Sequence, residues 1–178
     1  EAVFEEWRVL MHRFSDALGL PSSMVHELEV PDEDRAHYSK RTIDFEFDYP
    51  FGRRELWGLA YRTDFDLSAH EGGSGVSQIY VDEETNEKFI PHVIEPSLGV
   101  DRTILAILTS AYREDELGAE TRVLLKLAPK VAPVKAMVSP LLRNKPELVE
   151  KAREVRTALR QVHHAIAWDD NGNIGKRY

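Results

Sequence analysis

The sequence predicts an α+β fold, with an antiparallel sheet backed by helices and then the beginning of an α/β unit. Apolar and polar residues alternate from Thr42 to Tyr49, as in a strand with one buried face. Residues 2–18 and 104–112 carry apolar side chains at intervals of three and four, the spacing of a helix with one buried face. Residues 134–178 follow the order strand, helix, strand, which indicates a separate α/β unit.

Composition excludes several classes of protein. Hydrophobic residues make up 42% and charged residues 30% of the 178 residues, which is ordinary for a globular protein. No apolar run approaches the roughly 18 residues of a membrane span, so we expect a cytoplasmic protein without membrane contact. The absence of cysteine excludes disulfides, thiolate catalysis and cysteine-based zinc sites. A net charge of −8 argues against coating nucleic acid through bulk charge but leaves local basic patches possible, formed for example by Arg53, Arg54, Lys126, Lys130 and Lys135.

The first helix is predicted over residues 2–18, ended by Gly19 and Pro21. Its predicted buried stripe consists of Val3, Phe4, Trp7, Leu10, Met11, Phe14 and Leu18. A short strand is predicted at Met24–Val30.

In the strand Thr42–Tyr49, one face carries Ile43, Phe45, Phe47 and Tyr49, and the other carries Thr42, Asp44, Glu46 and Asp48. With Glu55 the acidic residues suggest a metal site, but a solvated surface explains them more simply. Pro50-Phe51-Gly52 ends the strand and Glu55–Tyr61 resumes it, which predicts a hairpin with Arg53-Arg54 at or near its turn.

The next segment is predicted to be a loop, Thr63–His70 with Gly72–Gly75, followed by an antiparallel pair, Ile79–Val81 with Phe89–Glu95, around an acidic turn. A tight link, Glu95-Pro96-Ser97-Leu98-Gly99, then leads into a helix. The predicted buried face of that helix consists of Ile104, Leu105, Ile107, Leu108, Ala111 and Tyr112.

The last third is predicted as a charged exit at Glu114–Gly118, a strand at Arg122–Leu127 and a domain boundary at Ala128–Pro133. A strand then begins with Val134, Ala136 and Val138. Pro146 opens a helix whose buried stripe is Leu148, Ala152, Val155, Leu159 and Val162, and a strand begins at Ile166 and Trp168. We interpret His163 and His164 as surface residues, and the incomplete second sheet as a truncated domain.

Arg102 is unexpected where it stands, in the first turn of its helix. The positive end of the helix dipole disfavours a cation, so a negative group should offset it, and a phosphate is one candidate. In the alternative interpretation, Asp101 caps the helix, Arg102 is solvated and Glu95 makes a surface salt bridge. Spacing alone leaves both interpretations open.

The stretch VIEPSLGVDR, followed by an apolar helix, resembles motif 3 of class II aminoacyl-tRNA synthetases in the form found in glycyl-tRNA synthetases. Upstream, AHYSKRTIDFEFDYPFG and RELWGLAYRTDFDL are similar to the segments that precede this motif in that family. Downstream, LAPKVAPVKAMVSPL and DDNGNIGKRY are similar to the start of its anticodon-binding domain. The resemblance covers nearly the whole chain, in the family's order.

The resemblance implies a class II synthetase-type antiparallel sheet with flanking helices. Residues 1–128 would be the C-terminal part of the catalytic domain including motif 3, and residues 129–178 the N-terminal part of the anticodon-binding domain. Motif 1 and motif 2 have no counterpart in the sequence, so we expect the isolated 178-residue chain to be inactive. The family's Gly-Trp-Gly turn is replaced by Gly52-Arg53-Arg54, which puts the local turn geometry of the ATP site in doubt.

The implied activity is ATP-dependent attachment of glycine to tRNA(Gly) through glycyl-adenylate, by a homodimer that uses ATP and Mg²⁺. The catalytic residues would be Arg102, on the ATP phosphates, and Arg62, which orients the amino acid. The ATP site would comprise Glu55, Leu56, Gly99, Val100, Asp101 and Arg102, with Glu55 also holding Mg²⁺. The glycine site would comprise Arg62, Glu95, Pro96, Ser97, Leu98 and Gly99, with Glu95 and Ser97 receiving the ammonium group.

Two alternatives accompany this hypothesis. One is a catalytically inactive synthetase-like module that binds RNA or protein. Together, Glu55, Arg62, Glu95, Ser97 and Arg102 favour the enzyme, because an inactive module has no need of all of them. The other is a threonyl- or prolyl-type class II synthetase, which EPSLGVDR and RTDFDL disfavour.

Overall fold

The computed structural model describes residues 1–117 and 120–172. The chain forms two compact units, Glu1–Leu127 and Ala128–Tyr178. Their assignment to a catalytic and an anticodon-binding domain stays a prediction. Gly118 of the predicted charged exit and residues 173–178 of the last resembling stretch lie outside the described residues.

The first unit is built around a four-stranded sheet. Its elements in chain order are α1 (Ala2–Leu18), β1 (Val25–Glu29), β2 (Arg41–Tyr49), β3 (Gly52–Thr63), α2 (Phe65–Ser74), β4 (Tyr80–Val81), β5 (Lys88–Phe89), β6 (Val93–Leu98), α3 (Val100–Ala111), β7 (Tyr112–Leu117) and β8 (Glu120–Leu125). The sheet has the order β1-β2-β3-β6, and all neighbours are antiparallel. The pairs β4–β5 and β7–β8 form separate hairpins.

One face of the sheet forms the hydrophobic core, and we call it the back face. The alternation predicted for β2 is confirmed, because Ile43, Phe45, Phe47 and Tyr49 are all buried. On β3, Trp57 lies opposite Phe45 and Leu59 opposite Ile43, and both are also buried. Burying aromatic and aliphatic side chains of this size stabilises the fold by about 1.5–3 kcal/mol each.

Helix α1 covers part of the back face and has the predicted bounds. It ends at Gly19, whose positive φ of 81° lets its amide turn back and donate to the carbonyl of Asp16. The predicted stripe is only partly buried. Phe4 and Met11 enter the core, whereas Val3, Trp7, Leu10 and Phe14 stay exposed.

Helix α3 also covers the back face, and the face predicted to be buried is partly right, because Ala111 is buried and Ile107 packs against the core as predicted, whereas the other four predicted residues do not. Its buried residues are Ala106, Ser110 and Ala111, and Ile107 is half-buried against the core. The larger residues Ile104, Leu105 and Leu108, together with Tyr112 after the helix, are exposed. Small side chains let the helix approach the sheet closely, so the larger apolar residues are left on its outer side.

Four local predictions are wrong. The segment predicted as a loop contains α2, which ends at Gly75 in the left-handed conformation. The predicted link at residues 95–99 is mostly strand, because β6 runs to Leu98, and the strand predicted from Phe89 to Glu95 is interrupted around Pro91, which cannot donate a ladder hydrogen bond. The predicted charged exit is β7, paired with β8.

The second unit contains β9 (Ala136–Val138), α4 (Pro146–Val162) and β10 (Ile166–Trp168). The two strands are parallel, with Ile166 opposite Ala136, and this confirms the predicted strand–helix–strand order. The stripe predicted on α4 is not buried among the described residues. Leu148 and Ala152 are half-buried there, and the exposed members of the stripe are Val155, Leu159 and Val162. Across residues 1–117 and 120–172, no helix has the length and apolar character needed to cross a membrane.

Candidate active site

The opposite side of the sheet, which we call the front face, is polar. Residues directly opposite each other on antiparallel strands point to the same side. Asp44 lies opposite Gly58, and Gly58 lies opposite Ser97. In the adjacent rows, Ala60 lies opposite Glu95 and Glu46 lies opposite Glu55. The pairing of β2, β3 and β6 therefore brings Asp44, Glu46 and Glu55 to the same face as Glu95 and Ser97.

Arg62 lies at an irregularity in the pairing of β3 with β6. The register shifts between Tyr61 and Thr63, and Thr63 has a positive φ of 55°, which is rare for a β-branched residue. A bulge can re-aim a side chain, and such strained positions cluster at functional sites. The irregularity thus marks Arg62 as a residue whose direction is set by the fold.

The guanidinium of Arg62 is held by two carboxylates. Its Nε and Nη2 donate to Asp66 on α2 at 2.6 and 2.7 Å, and its Nη1 donates to Glu95 on β6 at 2.6 Å. The Cζ atom of Arg62 lies 3.9 Å from the ring centroid of Tyr38, in a cation–π contact. The hydrogen bond to Asp66, together with the one to Glu95, raises the pKa of Arg62. The same contact lowers the pKa of Asp66.

The first turn of α3 is attached to the sheet. The Tyr49 hydroxyl donates to the carbonyl oxygen of Arg102 at 3.2 Å. The Trp57 indole donates to the Thr103 hydroxyl at 2.8 Å. The Thr103 hydroxyl in turn donates to the carbonyl oxygen of Gly99 at 2.7 Å. These bonds connect the buried side of β2 and β3 to the helix end, and they fix the position from which Arg102 projects.

Arg102 contacts Glu55. Its Nη1 donates to the Glu55 carbonyl at 2.8 Å and lies 3.3 Å from the Glu55 carboxylate, and both side chains are 55% exposed. In the alternative interpretation, capping by Asp101 is wrong, because the N-cap is Gly99 and no side chain caps this end. Its other two parts agree with the structure, since Arg102 is exposed and Glu95 makes an ion pair, with Arg62. The Glu55 carboxylate therefore offsets the cation near the helix dipole. An exposed pair of this kind leaves both groups available to a ligand.

Gly99, Val100 and Asp101 lie at the start of α3, where predicted. Gly99 has φ −81° and ψ 120°, a conformation that any residue adopts, and a Cβ there would lie in ordinary contact 3.9 Å from the Arg102 stem. Val100 and Asp101 are exposed. Their predicted position beside the nucleotide stays a prediction.

Three of the predicted site residues have side chains away from the front face. Leu56 is buried in the core, next to the irregularity at Phe45 and Glu46. Pro96 and Leu98 lie opposite Leu59 and Trp57, on the back face. There they border an apolar groove of about 340 Å³ whose other lining residues are Trp7, Leu10, Met11 and Phe14. These three side chains therefore do not meet Glu95 and Ser97.

Asp44 was missed as a site residue, because the acidic face of β2 was interpreted as solvated surface. Asp44 is half-buried, and within residues 1–117 and 120–172 its carboxylate has no hydrogen-bond or ion-pair partner. Burial first, and then the Glu55 and Glu46 carboxylates, raise the pKa of Asp44. The alternation of β2 places Asp44 on the acidic face, but its neighbours Gly58 and Ser97 are defined by strand register, which the linear sequence does not contain.

Asp48, at the end of the same strand face, has a structural explanation. Its carboxylate accepts hydrogen bonds from Arg53 at 2.8 Å and from His26 at 2.7 Å. The contacts with Arg53 and then His26 lower its pKa. Arg53 and Arg54 follow the turn at residues 50–51 and lie in β3, opposite Asp48 and Phe47. The hairpin prediction is therefore confirmed.

The donor set fits Mg²⁺ as nucleotide enzymes bind it, through one or two carboxylates and the substrate phosphates. Glu55 and Glu46 face each other across the strand pair and would supply those carboxylates. Among the described residues, no group of three or more histidine or acidic side chains could hold a metal by itself. Glu55 as a magnesium ligand stays a prediction.

The fold is that of the class II aminoacyl-tRNA synthetases. A solved prolyl-tRNA synthetase of Giardia lamblia, in complex with prolyl-adenylate, superimposes with a TM-score of 0.60 over 97% of this chain and 33% of its own. At 17% identity, this likeness shows the fold alone.

The sequence is similar to glycine–tRNA ligases, which confirms the predicted resemblance. It is 47% identical to the enzyme of Chlorobaculum tepidum and 46% identical to that of Clostridium tetani, in each case over 98% of this chain. It is also 47% identical to the enzyme of Thermobifida fusca over 90% of this chain. No protein-family model matches the chain. The chain spans only 37% of the length of the first two relatives.

Proposed function

We propose that the full-length gene product attaches glycine to tRNA(Gly) in an ATP-dependent reaction through glycyl-adenylate. One observation carries this proposal: identities of 42–47% to glycine–tRNA ligases over almost the whole chain. Because the chain spans 37% of those relatives, the activity is assigned to the full-length product. A cytoplasmic homodimer that binds ATP, glycine and tRNA(Gly) belongs to the same proposal.

The proposed chemistry needs no side-chain nucleophile. The carboxylate of glycine attacks the α-phosphate of ATP, and pyrophosphate leaves, so that catalysis consists of positioning the reactants and stabilising phosphoryl charge. Arg102 suits the second task, because its half-exposed guanidinium projects from a fixed helix end. Mg²⁺, held by Glu55 and the phosphates, would neutralise further charge.

Glu95 and Ser97 suit the recognition of glycine. They lie two residues apart on β6, so both project from the front face, and a carboxylate with a hydroxyl can receive an ammonium group. Arg62 contacts Glu95 directly, and Asp66 and Tyr38 hold it in place. These contacts support a positioning role for Arg62, in which it fixes the Glu95 carboxylate, beside its predicted role in orienting the amino acid.

The test is glycine- and ATP-dependent pyrophosphate exchange by the full-length product. Glu95→Gln keeps the shape of the side chain and removes its charge. Losing a charge-assisted hydrogen bond costs about 1.5–3 kcal/mol, or roughly one to two decades in glycine activation. The matched control is Glu87→Gln, on an exposed turn, which should leave exchange unchanged.

Two results would contradict the proposal at different levels. Near-normal exchange by Glu95→Gln would remove the site assignment and leave the activity standing. Absence of glycine-dependent exchange by the unmodified full-length protein would remove the activity and favour the inactive RNA- or protein-binding module.

A further inference from the structure

The front face of the sheet has a gap in its side chains at Gly58. Gly58 lies in β3, the interior strand between β2 and β6. Asp44 flanks it on one side and Ser97 on the other, in the same row of the sheet. Neighbouring strands lie about 4.8 Å apart, so the Cα atoms of Asp44 and Ser97 are separated by roughly 9.6 Å. Between these two residues the front face consists only of the Gly58 backbone, which no side chain covers.

The fold itself does not require glycine at this position. Gly58 has no left-handed φ angle, unlike Gly52 and Gly75. A Cβ built on Gly58 would meet one neighbour, the Asp44 Oδ1 atom, at 4.0 Å, which is an ordinary van der Waals distance. Glycine in a strand interior weakens the strand, and it often marks a site where a ligand approaches the backbone closely. With backbone geometry and packing both permissive, ligand approach remains as the explanation.

The side chains on either side of Gly58 indicate which kind of ligand could bind there. Asp44 is an acid without a partner among the described residues, and Glu95, one row away, is a second acid on the β6 side. Ser97 adds a hydroxyl. Acidic side chains beside an uncovered stretch of backbone favour a small cationic group such as the α-ammonium of an amino acid.

We propose that Gly58 is a specificity-determining residue, whose missing side chain forms the floor on which the ammonium end of the substrate glycine lies between Asp44 and Ser97. This inference rests on the proposed function and deepens it. Selection of glycine then depends partly on how much space lies above the Gly58 backbone. A substrate Cβ competes for the space above Gly58, and a protein Cβ at position 58 excludes glycine itself.

The experiment substitutes Gly58→Ala and Gly58→Ser in the full-length product and measures pyrophosphate exchange against glycine and against ATP. A single added methyl group in a close-fitting pocket changes kcat/KM by about 10- to 200-fold. We expect a loss of that size in kcat/KM for glycine, a larger loss for Gly58→Ser, and a KM for ATP close to that of the unmodified protein. The thermal melting temperature of Gly58→Ala should stay at or above that of the unmodified protein, because the position accepts a Cβ.

The matched control is Gly73→Ala, another glycine with an ordinary φ, where a Cβ would meet nothing within 4 Å. It should leave both kinetic constants unchanged. An unchanged kcat/KM for glycine in Gly58→Ala would overturn the inference, and so would a melting temperature well below that of the unmodified protein, which would make Gly58 a structural residue. Either result would leave the proposed function standing, provided that the unmodified protein catalyses glycine-dependent exchange. If the unmodified protein shows no such exchange, the proposed function itself is wrong.

Discussion

The two faces of the sheet differ in burial and in charge, since the back face is apolar and buried and the front face is acidic and partly accessible. On the back face, Phe45, Phe47 and Leu59 are completely buried, and their tight packing holds α1 and α3 against the sheet. On the front face the same strands present Asp44, Glu55 and Glu95, all at least partly accessible. One set of strands therefore provides both the core and the proposed site. Successive residues of one strand serve stability and recognition in alternation.

The difference also shows where charge is tolerated. The Glu46 carboxylate lies directly across from Glu55, a like-charge arrangement that costs stability. Asp44 adds a third carboxylate close enough to have its pKa raised by both. A surface selected for stability alone would disperse these charges, so their accumulation favours a cationic or metal-bearing ligand on the front face.

The largest expected effect tests the division between the faces, with two adjacent residues of β2. Phe45→Ala removes a fully buried ring and should lower the free energy of unfolding by about 3–5 kcal/mol. Glu46→Ala, one residue further on the front face, should change it by no more than about 0.5 kcal/mol. Urea denaturation of both variants, followed by circular dichroism, measures the difference. Equal losses would mean that the front face is also part of the core.

A second comparison separates two arginines that contact carboxylates of the front face, Arg62 and Arg102. Arg62→Lys loses the two-pronged contact with Asp66, so Glu95 is less well held and the KM for glycine should rise roughly tenfold or more. Arg102→Lys keeps a cation but loses the planar fork, so the KM for ATP should rise by about tenfold while the melting temperature is retained.

Pyrophosphate exchange at varied glycine and varied ATP measures both effects in the full-length product. If Arg102→Lys lowers the melting temperature and leaves the KM for ATP unchanged, Arg102 is a structural ion-pair residue. If the two variants affect the same substrate, the proposed separation of a glycine end and a nucleotide end is wrong.

The sequence predicts those parts of the fold that depend on local pattern. The bounds of α1 and the burial of alternate β2 residues both follow from periodicity and are confirmed. The face of α3 could be predicted only in part. Ala111 is buried as predicted, but the sheet also selects the small residues Ala106 and Ser110 and leaves the larger apolar residues outside. Helix α2 was not predicted because its glycines are typical of a loop. The contact between Asp66 on α2 and Arg62 on β3 forms only in the folded chain, so the local sequence pattern does not contain it.

The candidate site shows the same limit. Arg102 could be singled out because a cation at a helix N-terminus conflicts with the dipole, which is a local signal. Glu95 and Ser97 came from resemblance to a family. The contact between Arg62 and Glu95 spans 33 residues, and the row of Asp44 and Gly58 depends on a register that shifts at Phe45 and Glu46. Pairings of this kind are set by the whole sheet, so the sequence could not place Asp44 in the site.

The smallest expected effect compares two acids of the same strand face, Asp44 and Asp48, by their dependence on pH. The pKa of Asp44 is raised, chiefly by burial, so its ionised form destabilises the folded state at neutral pH. Asp44→Asn removes that cost and should raise the melting temperature slightly at pH 7. The gain should shrink as pH falls through the raised pKa of Asp44, and it should vanish below the ordinary aspartate pKa of about 3.9, where Asp44 becomes protonated in both the folded and the unfolded state.

Asp48 should behave in the opposite way. Its pKa is lowered, first by Arg53 and then by His26, so its ionised form contributes stability that is present at neutral pH. That contribution is lost as pH falls below the ordinary aspartate range and through the lowered pKa. Asp48→Asn should therefore lower the melting temperature at pH 7, by an amount that shrinks at acid pH.

Melting temperatures of the two variants and the unmodified chain, measured between pH 7 and the lowest pH at which the chain stays folded, test this pair. The shifts should have opposite signs at pH 7 and should converge as the carboxylates become protonated. If both variants lose stability at pH 7, the Asp44 carboxylate has a stabilising partner, and the front face would carry a structural ion pair where we propose a site for a cationic ligand. Shifts of opposite sign would support the interpretation that Asp44 is kept charged at some cost in stability, because the ligand requires it.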